Sequence, residues 1–241
     1  MPRYRQAQVS FGPPLSRMVK YLIIVTTAVF VVTYLLEVRG WASPVAWFGL
    51  TPYLVTHRLF LWQPLTYLFL HGNFWHILFN MFMLWMFGSE LEYKWGHKQF
   101  LFYYFLTGMG AGLLDIFVHP SALSTTVGCS GAIYGLLMAY GLLFGDRPVL
   151  FSFLITMKVK WMVAIMGVIE FLSALNTRGS AVSHIAHLGG MLFGFLYLRG
   201  GSLPYRLQLR YHEWRRARLR RKFEGYMRKH EGKDDAGRWI H

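Results

Sequence analysis

The chain has 241 residues, of which 54% are apolar, 18% are aromatic and only 15% are charged. An ordinary soluble domain carries about 25% charged residues, so the composition predicts a polytopic membrane protein. At roughly 20 apolar residues per span, the length allows about six or seven transmembrane helices. A separate soluble domain of useful size does not fit beside them.

Apolar stretches predict six transmembrane helices. The first has a basic flank, as a signal peptide has, but its apolar run is long and no small-residue cleavage site follows, so we expect a retained helix. The fourth is short for a full crossing, and its start is expected to lie below the membrane surface. The predicted spans are 18–36, 64–87, 99–118, 130–145, 161–175 and 181–198.

Lysine and arginine residues set the predicted orientation. They gather near the first residue, in the second-to-third and fourth-to-fifth connections, and above all in the tail, so the positive-inside rule assigns these parts to the cytoplasm. Six spans place both termini on one side, in agreement with that assignment. We predict a cytoplasmic segment at 1–17, an all-α membrane domain at 18–199 and a basic cytoplasmic tail at 200–241.

A serine and a histidine occur in two of these apolar segments. Ser130 heads the fourth span, and His187 lies about two turns into the sixth, so both are expected in the outer part of the bilayer. Reactive polar groups inside membrane helices are costly and tend to be functional. A serine hydroxyl is a weak nucleophile until a base such as a neutral imidazole removes its proton. The two residues are therefore a candidate nucleophile and base.

Glycines on the same two spans would permit close helix contact. Gly131 and Gly135 are four residues apart on the fourth span, and Gly190 and Gly194 have the same spacing on the sixth. Such rows let helix backbones approach at short range. A general packing role accounts for the same pattern equally well, and the glycines alone do not decide between the two explanations.

The second span carries His71, His76 and Asn80. His76 and Asn80 are four residues apart and share one helix face. Together with the backbone N–H of Ser130 at a helix N-terminus, they are suited to stabilise a developing oxyanion. Taken singly, each is equally well explained as an interhelical hydrogen-bonding group.

Together these motifs resemble the rhomboid family of intramembrane serine proteases. The resemblance covers about 18–198 and rests on four motifs that stand in the family's order, any one of which would be weak alone. They are HILFN at 76–80, GSELE at 88–92, GCSGAIYG at 128–135 and AHLGG at 186–190. The fold that the resemblance implies is a rhomboid-like bundle of six transmembrane helices.

The resemblance also implies roles for individual residues. Ser130 would be the nucleophile and His187 its general base, in a dyad with no acidic third member. His76 and Asn80 would form the oxyanion site with the Ser130 backbone N–H, and Tyr134 matches the family's aromatic that packs against the catalytic imidazole. The remaining supporting residues would be Gly128 and Gly131.

Three positions depart from the family pattern. Gln63 stands in the first loop where arginine is common, so an arginine contact that steadies that loop is missing. Cys129 is the only cysteine, which excludes an intramolecular disulfide, and on a helix it projects about 100° away from Ser130. His184 lies one turn before His187, but the motif spacing favours His187 as the base.

A metal site is the alternative explanation for the histidines. His184 and His187 could join His71 or His76 around a zinc ion, because imidazoles suit that metal. No thiolate or well-placed carboxylate completes such a set, since Glu170 is on another span. We therefore expect neither a metal nor an organic cofactor.

The tail accounts for much of the net charge of +14. A juxtamembrane basic cluster on the cytoplasmic side attracts anionic lipid. Apolar residues at helical spacing within the tail predict an amphipathic helix along the membrane; they are Leu203, Leu207, Tyr211 and Trp214. Nucleic-acid binding is the alternative for so many arginines, but membrane topology accounts for them and we expect no such partner.

The leading functional hypothesis is a rhomboid-type serine endopeptidase that cleaves other membrane proteins in or near their transmembrane segments. We expect a multi-pass protein of the bacterial inner membrane. A rhomboid-like protein that binds transmembrane helices without cutting them is the alternative, and the joint presence of Ser130 and His187 argues against it. A small transporter or channel would need charged or ion-coordinating groups along its spans, which offer few.

Overall fold

The computed structural model describes residues 12–151, 155–176 and 183–200, and five residues of the tail. The chain divides into two compact units, Met1–Leu196 and Tyr197–His241. The described part is mostly helical. Its α-helices are α1 (Arg17–Val38), α2 (Val45–Phe48), α3 (Pro52–Arg58), α4 (Gln63–Thr66), α5 (Phe74–Met83), α6 (Ser89–Trp95), α7 (His97–Val118), α8 (Ser130–Phe144), α9 (Val159–Asn176) and α10 (His184–Arg199).

In the second unit, the described tail residues between 218 and 224 are helical. Arg220 Nε donates to Glu224 Oε1 at 3.1 Å, one helical turn apart. The amphipathic helix predicted around 203–214 and the basic residues before Gly12 lie outside the described residues.

Helices α1 and α7 are long and apolar enough to cross a membrane, and α8 is apolar but shorter. Only 17% of the apolar stretch of α1 is buried, against 50% of that of α7. Helix α7 is therefore a central element that packs on several neighbours, while α1 presents most of its apolar surface outward. An apolar outer surface is what a helix facing lipid requires.

The second apolar segment is not one helix, so the prediction of a continuous helix over 64–87 was wrong. A 3₁₀ turn at Tyr67–Phe69 follows α4, the backbone becomes extended at Leu70, and α5 begins only at Phe74. Asn73 caps α5, because its side-chain oxygen accepts the N–H of His76 at 2.8 Å. Asparagine after glycine favours such a break. A π-helical segment, Leu84–Gly88, then leads into α6.

The charged residues after 87 lie in α6, and one of them, Glu92, accepts hydrogen bonds from the N-terminus of α1. The carboxylate of Glu92, 2% exposed, accepts the backbone N–H of Met18 at 2.9 Å and that of Val19 at 3.0 Å. Ser16 Oγ also donates to it, and His97 Nδ1 contacts it. The first N–H groups of a helix have no partner within the helix, so Glu92 satisfies those of α1.

The first connection is ordered by Gln63, which is fully buried. Its Oε1 accepts the N–H of Thr51 at 3.0 Å, and its Nε2 donates to the carbonyl of Trp47 at 3.3 Å. Leu50 also pairs with Thr126 in an isolated antiparallel bridge. The loop is therefore anchored by glutamine without the arginine contact that the family pattern suggested.

A short β-hairpin lies between α8 and α9, which the expectation of an all-α fold missed. Strand β1 (Pro148–Phe151) pairs antiparallel with β2 (Ile155–Lys158), with Pro148 opposite Lys158. The exposed carboxylate of Asp146 contacts Lys158 at 3.3 Å and Lys160 at 2.8 Å. Exposed ion pairs of this kind add little stability. The hairpin positions the start of α9.

Helices α8 and α10 approach each other through glycine. A Cβ added to Gly190 would lie 1.8 Å from the carbonyl oxygen of Gly131, and one on Gly194 would lie 3.2 Å from that of Gly135. The glycines of α8 themselves point to α7, since a Cβ on Gly131 would lie 2.5 Å from Cβ of Ala111. The two glycine rows therefore serve two interfaces, and they bring α8 between α7 and α10.

Candidate active site

The candidate site lies at the N-terminal ends of α8 and α10. Ser130 is the first residue of α8 and is half-buried, while His187 in the first turn of α10 is 8% exposed. Ser130 Oγ is 2.7 Å from His187 Nε2. That separation is typical of a hydrogen bond between a hydroxyl and an imidazole nitrogen. The structure therefore brings the predicted nucleophile and base into direct contact.

Tyr134 holds the imidazole from one side. It lies one turn after Ser130 on the same face of α8, and its ring stacks on that of His187 with centroids 4.3 Å apart and planes 18° from parallel. The stack prevents the imidazole from tilting toward Tyr134 but leaves it free to turn within its own plane. The remaining orientation must come from groups that meet the ring edge.

His76 and Asn80 converge on the turn that precedes α8. Gly128 has φ +113°, and a Cβ there would lie 2.7 Å from His76 Nε2 and 3.6 Å from Asn80 Nδ2. The Gly72 N–H approaches His76 Nδ1 at 3.5 Å, which is a long contact that favours the proton on Nε2. Asn80 Nδ2 is buried without a hydrogen-bond partner among the described residues. Two donors are thus available beside the N-terminus of α8.

Cys129 precedes Ser130 but lies in a different environment. It is fully buried, and its Sγ is 3.8 Å from His71 Nε2. The His71 ring in turn meets the His76 ring edge-on, with centroids 4.9 Å apart. The thiol therefore points away from the contact between Ser130 and His187.

Glu170 of α9 reaches the same site, so the expectation that no carboxylate lies near these histidines was wrong. Its Oε2 is 2.6 Å from His184 Nδ1 and 3.0 Å from His187 Nδ1, and its Oε1 accepts the hydroxyl of Tyr134. The sequence held a signal for it, because Glu170 is the only acidic residue within α9, and acidic residues inside apolar spans are functional candidates by default.

The ligand atoms of Glu170, His184 and His187 lie within 4.8 Å of one another. Imidazole nitrogens and carboxylate oxygens suit zinc, but the ligands of a tetrahedral zinc ion lie about 3.3 Å apart when each is about 2.0 Å from the metal. The observed contacts of 2.6 and 3.0 Å are shorter. The cluster is therefore arranged as a hydrogen bond between His184 and Glu170 with a close polar contact from His187.

Comparison with known proteins places the chain in a family. The Rhomboid domain profile matches residues 58–202, more than half of the chain. The chain is 27% identical to "Rhomboid protease GlpG" of Yersinia pestis (strain Pestoides F) over 198 residues, which cover 80% of this chain and 64% of that protein.

Two eukaryotic relatives also match. The identity is 31% over 151 residues to "RHOMBOID-like protein 1" of Arabidopsis thaliana, covering 59% of this chain and 35% of the relative. It is 26% over 164 residues to "Rhomboid protein 1, mitochondrial" of Saccharomyces cerevisiae, covering 65% and 47%. The chain spans between about a third and two thirds of the length of these curated relatives. On the family match, the chain belongs to the rhomboid family of integral membrane proteins.

Proposed function

We propose that this chain is an intramembrane serine endopeptidase that hydrolyses peptide bonds in or near the transmembrane segments of other membrane proteins. The observation that carries the proposal is the 2.7 Å contact between Ser130 Oγ and His187 Nε2. Its setting supports the same activity, because the contact lies among apolar helices beside two further donors, His76 and Asn80. Matching relatives from Yersinia pestis and Yersinia pseudotuberculosis are named proteases.

The residues suit acyl transfer through a covalent intermediate. His187 Nε2 takes the proton of Ser130 as Oγ attacks the scissile carbonyl carbon, and the resulting imidazolium then protonates the leaving amine. The negative charge on the carbonyl oxygen falls near the N–H of Ser130, His76 Nε2 and Asn80 Nδ2. A water molecule, activated by the same imidazole, hydrolyses the acyl-enzyme and restores Ser130.

The proposed topology uses six of the helical segments as spans. They are α1, α5 with the π-helical segment, α7, α8, α9 and α10. Both termini are cytoplasmic, the site opens toward the outer side of a bacterial inner membrane, and residues 18–199 form the membrane domain. The basic tail at 200–241 contacts anionic lipid. The pattern of lysine and arginine along the sequence supports this arrangement.

Serine-directed labelling tests the proposal. We expect the full chain in proteoliposomes to react with a fluorophosphonate probe and to cleave a fluorogenic transmembrane substrate. Ser130→Ala should abolish both reactions, and His187→Ala should reduce both by at least about 10³-fold. Cys129→Ala is the matched control, because it alters the adjacent residue but not the contact, and it should label and cleave normally.

Two results would overturn the assignment. Labelling that persists in Ser130→Ala would place the nucleophile elsewhere. Wild-type protein that binds the substrate helix without labelling or cleavage would instead identify a rhomboid-like protein that binds transmembrane helices without cutting them.

A further inference from the structure

A buried carboxylate lies where apolar helices meet. Glu170 is 6% exposed, whereas its neighbours on α9, Ile169, Phe171 and Leu172, are more than half exposed. At this point the helix thus turns its single acidic side chain inward and the apolar side chains next to it outward. A carboxylate in such surroundings is costly unless both oxygens are satisfied, so the groups that satisfy Glu170 indicate what it does.

Among the described residues, the side chains that contact the Glu170 carboxylate are rings with donor groups on α8 and α10. Oε1 accepts the hydroxyl of Tyr134. Oε2 is approached by Nδ1 of His184 at 2.6 Å and by Nδ1 of His187 at 3.0 Å. Two of these three rings already belong to the candidate site, since Tyr134 stacks on His187. Glu170 therefore contacts the edge of the imidazole that the stack leaves free to turn.

We propose that Glu170 is a positioning residue for His187, which orients the base of the pair formed by Ser130 and His187. The inference rests on the proposed protease function and deepens it. Glu170 contacts only His184, His187 and Tyr134 among the groups described above, and it acts on the substrate through His187.

The first role of Glu170 is to select the tautomer of His187. A neutral imidazole carries one proton, and the nitrogen without it is the one that can accept. An anionic oxygen 3.0 Å from Nδ1 favours the proton on that nitrogen. The lone pair is then on Nε2, which faces Ser130 Oγ at 2.7 Å. This is the tautomer that a general base requires.

The second role is to stabilise the charge that forms during the reaction. When Oγ of Ser130 bonds to the carbonyl carbon, its O–H bond breaks and a new N–H bond forms at Nε2 of His187. The imidazole becomes a cation beside the Glu170 carboxylate, which keeps its negative charge and takes no proton. In a site of low polarity, such a pair is stabilised more than in water.

The contact is not fully aligned in the resting structure. Nδ1 of His187 is within 3.0 Å of the carboxylate, but its N–H does not point straight at the oxygen, and Nδ1 has no aligned hydrogen bond among the described residues. Catalytic hydrogen bonds are often poorly aligned before substrate binds.

A purely structural role for Glu170 makes a different prediction, and the molecule supplies a matched control. At the other end of α8, Tyr140 donates its hydroxyl to Glu90, which also pairs with Arg147. This second link between a tyrosine and a carboxylate is remote from Ser130. Glu90 is on α6, so Glu90→Gln removes a carboxylate charge that contacts a tyrosine of α8 without touching the site.

The test measures kcat and KM separately for the wild type, Glu170→Gln and Glu90→Gln in proteoliposomes, with the fluorophosphonate labelling rate of each. Glu170→Gln should lower kcat and the labelling rate by about 10- to 100-fold, a part of the general-base contribution. Its KM should stay within about two-fold, as expected for an interaction that strengthens in the transition state. Glu90→Gln should lose thermal stability and keep its kcat.

Glu170→Asp keeps the charge on a shorter side chain and should give a kcat between those of the wild type and Glu170→Gln; it also serves as the test if the glutamine variant does not fold. A wild-type kcat and labelling rate in folded Glu170→Gln, or in Glu170→Ala, would overturn the inference and leave the protease assignment intact. A wild type that neither labels nor cleaves would instead reject the assignment itself.

Discussion

Glu92 and Glu170 are both buried carboxylates that join helices, yet they accept different kinds of donor. Glu92 binds mainly the backbone N–H groups that begin α1. Glu170 binds a phenol and two imidazoles. A backbone N–H keeps its proton under all ordinary conditions, whereas an imidazole gains and loses one near neutral pH.

This difference separates a stabilising carboxylate from one suited to catalysis. At Glu92, the charge completes a helix N-terminus and holds two segments together. At Glu170, the same charge lies beside a ring that contacts a serine hydroxyl. Burial alone does not distinguish the two sites, since Glu92 is 2% and Glu170 is 6% exposed. What distinguishes them is the neighbour of the imidazole: His187 beside Glu170 contacts Ser130 Oγ, whereas His97, which contacts Glu92, lies outside the proposed site.

The largest loss of activity should come from moving α10 away from α8, because both helices carry groups that contact Glu170. In Gly190→Ala the new Cβ would lie 1.8 Å from the carbonyl oxygen of Gly131, so the backbones must move apart. Overpacking of this kind costs about 1–3 kcal/mol, and a displacement of about 1 Å at a reacting pair costs about 10²-fold in rate. We expect loss of labelling and of cleavage. Thermal unfolding in detergent measures the accompanying loss of stability separately.

Leu192→Ala is the control for Gly190→Ala, because Leu192 of α10 is 44% exposed and its truncation leaves the glycine contact in place. It should label at close to the wild-type rate. Wild-type labelling in Gly190→Ala would show that the glycine contact does not set the distance between Ser130 and His187.

Removing the charge of Glu92 should lower stability and leave kcat unchanged, in contrast to Glu170→Gln, which should lower kcat. Glu92→Gln retains one acceptor oxygen but loses the ionic hydrogen bonds to the start of α1, which should lower the free energy of unfolding by about 2 kcal/mol. The kcat of the folded fraction should be unchanged, because the proposed site does not include α1. A fall in kcat without a fall in stability would erase the distinction between the two carboxylates.

Acid should weaken the hydrogen bonds between the Glu92 carboxylate and the start of α1. Burial raises the pKa of Glu92, but hydrogen bonds from Ser16, Met18, Val19 and His97 outweigh it, so the pKa lies below its ordinary value of 4.5. The folded state therefore binds fewer protons than the unfolded state. The stabilisation is complete above the unfolded pKa and is lost as pH falls through the lower folded value.

Thermal unfolding between about pH 6 and pH 3 measures this loss. The difference in melting temperature between wild type and Glu92→Gln should shrink as the pH falls. A difference that stays constant over this range would show that the Glu92 charge is not the source of the stability.

The smallest effect should come from Asp146, whose carboxylate side chain is 78% exposed and pairs with Lys158 and Lys160. Exposed pairs are screened by water and salt. Asp146→Asn should therefore leave the melting temperature and kcat unchanged within experimental error. A clear loss of stability would mean that the hairpin start depends on this charge more than its exposure indicates.

Much of the site geometry could be predicted because it follows from spacing along one helix or from the depth of a residue within its span. Tyr134 lies one turn after Ser130, so its place on the same face follows from helix geometry. The contact of Ser130 with His187 follows from two spans that enter from the same side. The helix boundaries of α1, α7 and α8 also fall within a few residues of their predicted limits.

The remaining features depend on contacts that no spacing encodes. Glu170 is 17 residues before His187 and on another helix, so its approach depends on how α9 rotates against α8 and α10. The break at Leu70 was missed because the apolar run hides it, although Gly72 and Asn73 signal a turn. Apolar content identifies a segment that avoids water, and turn residues must be weighed against it to find where its helix begins.

The residue at the position of Gly128 is a criterion for classifying related sequences that the presence of Ser130 and His187 alone does not provide. Its φ of +113° and the 2.7 Å that a Cβ would leave to His76 mean that another residue would close the space between the α8 turn and the two donors. A relative that kept Ser130 and His187 but replaced this glycine would retain a reactive hydroxyl and lose room for the carbonyl oxygen. Such a sequence is expected to form acyl-enzyme poorly while still binding a transmembrane substrate helix. We therefore expect this position to distinguish proteases from proteins that bind transmembrane helices without cutting them.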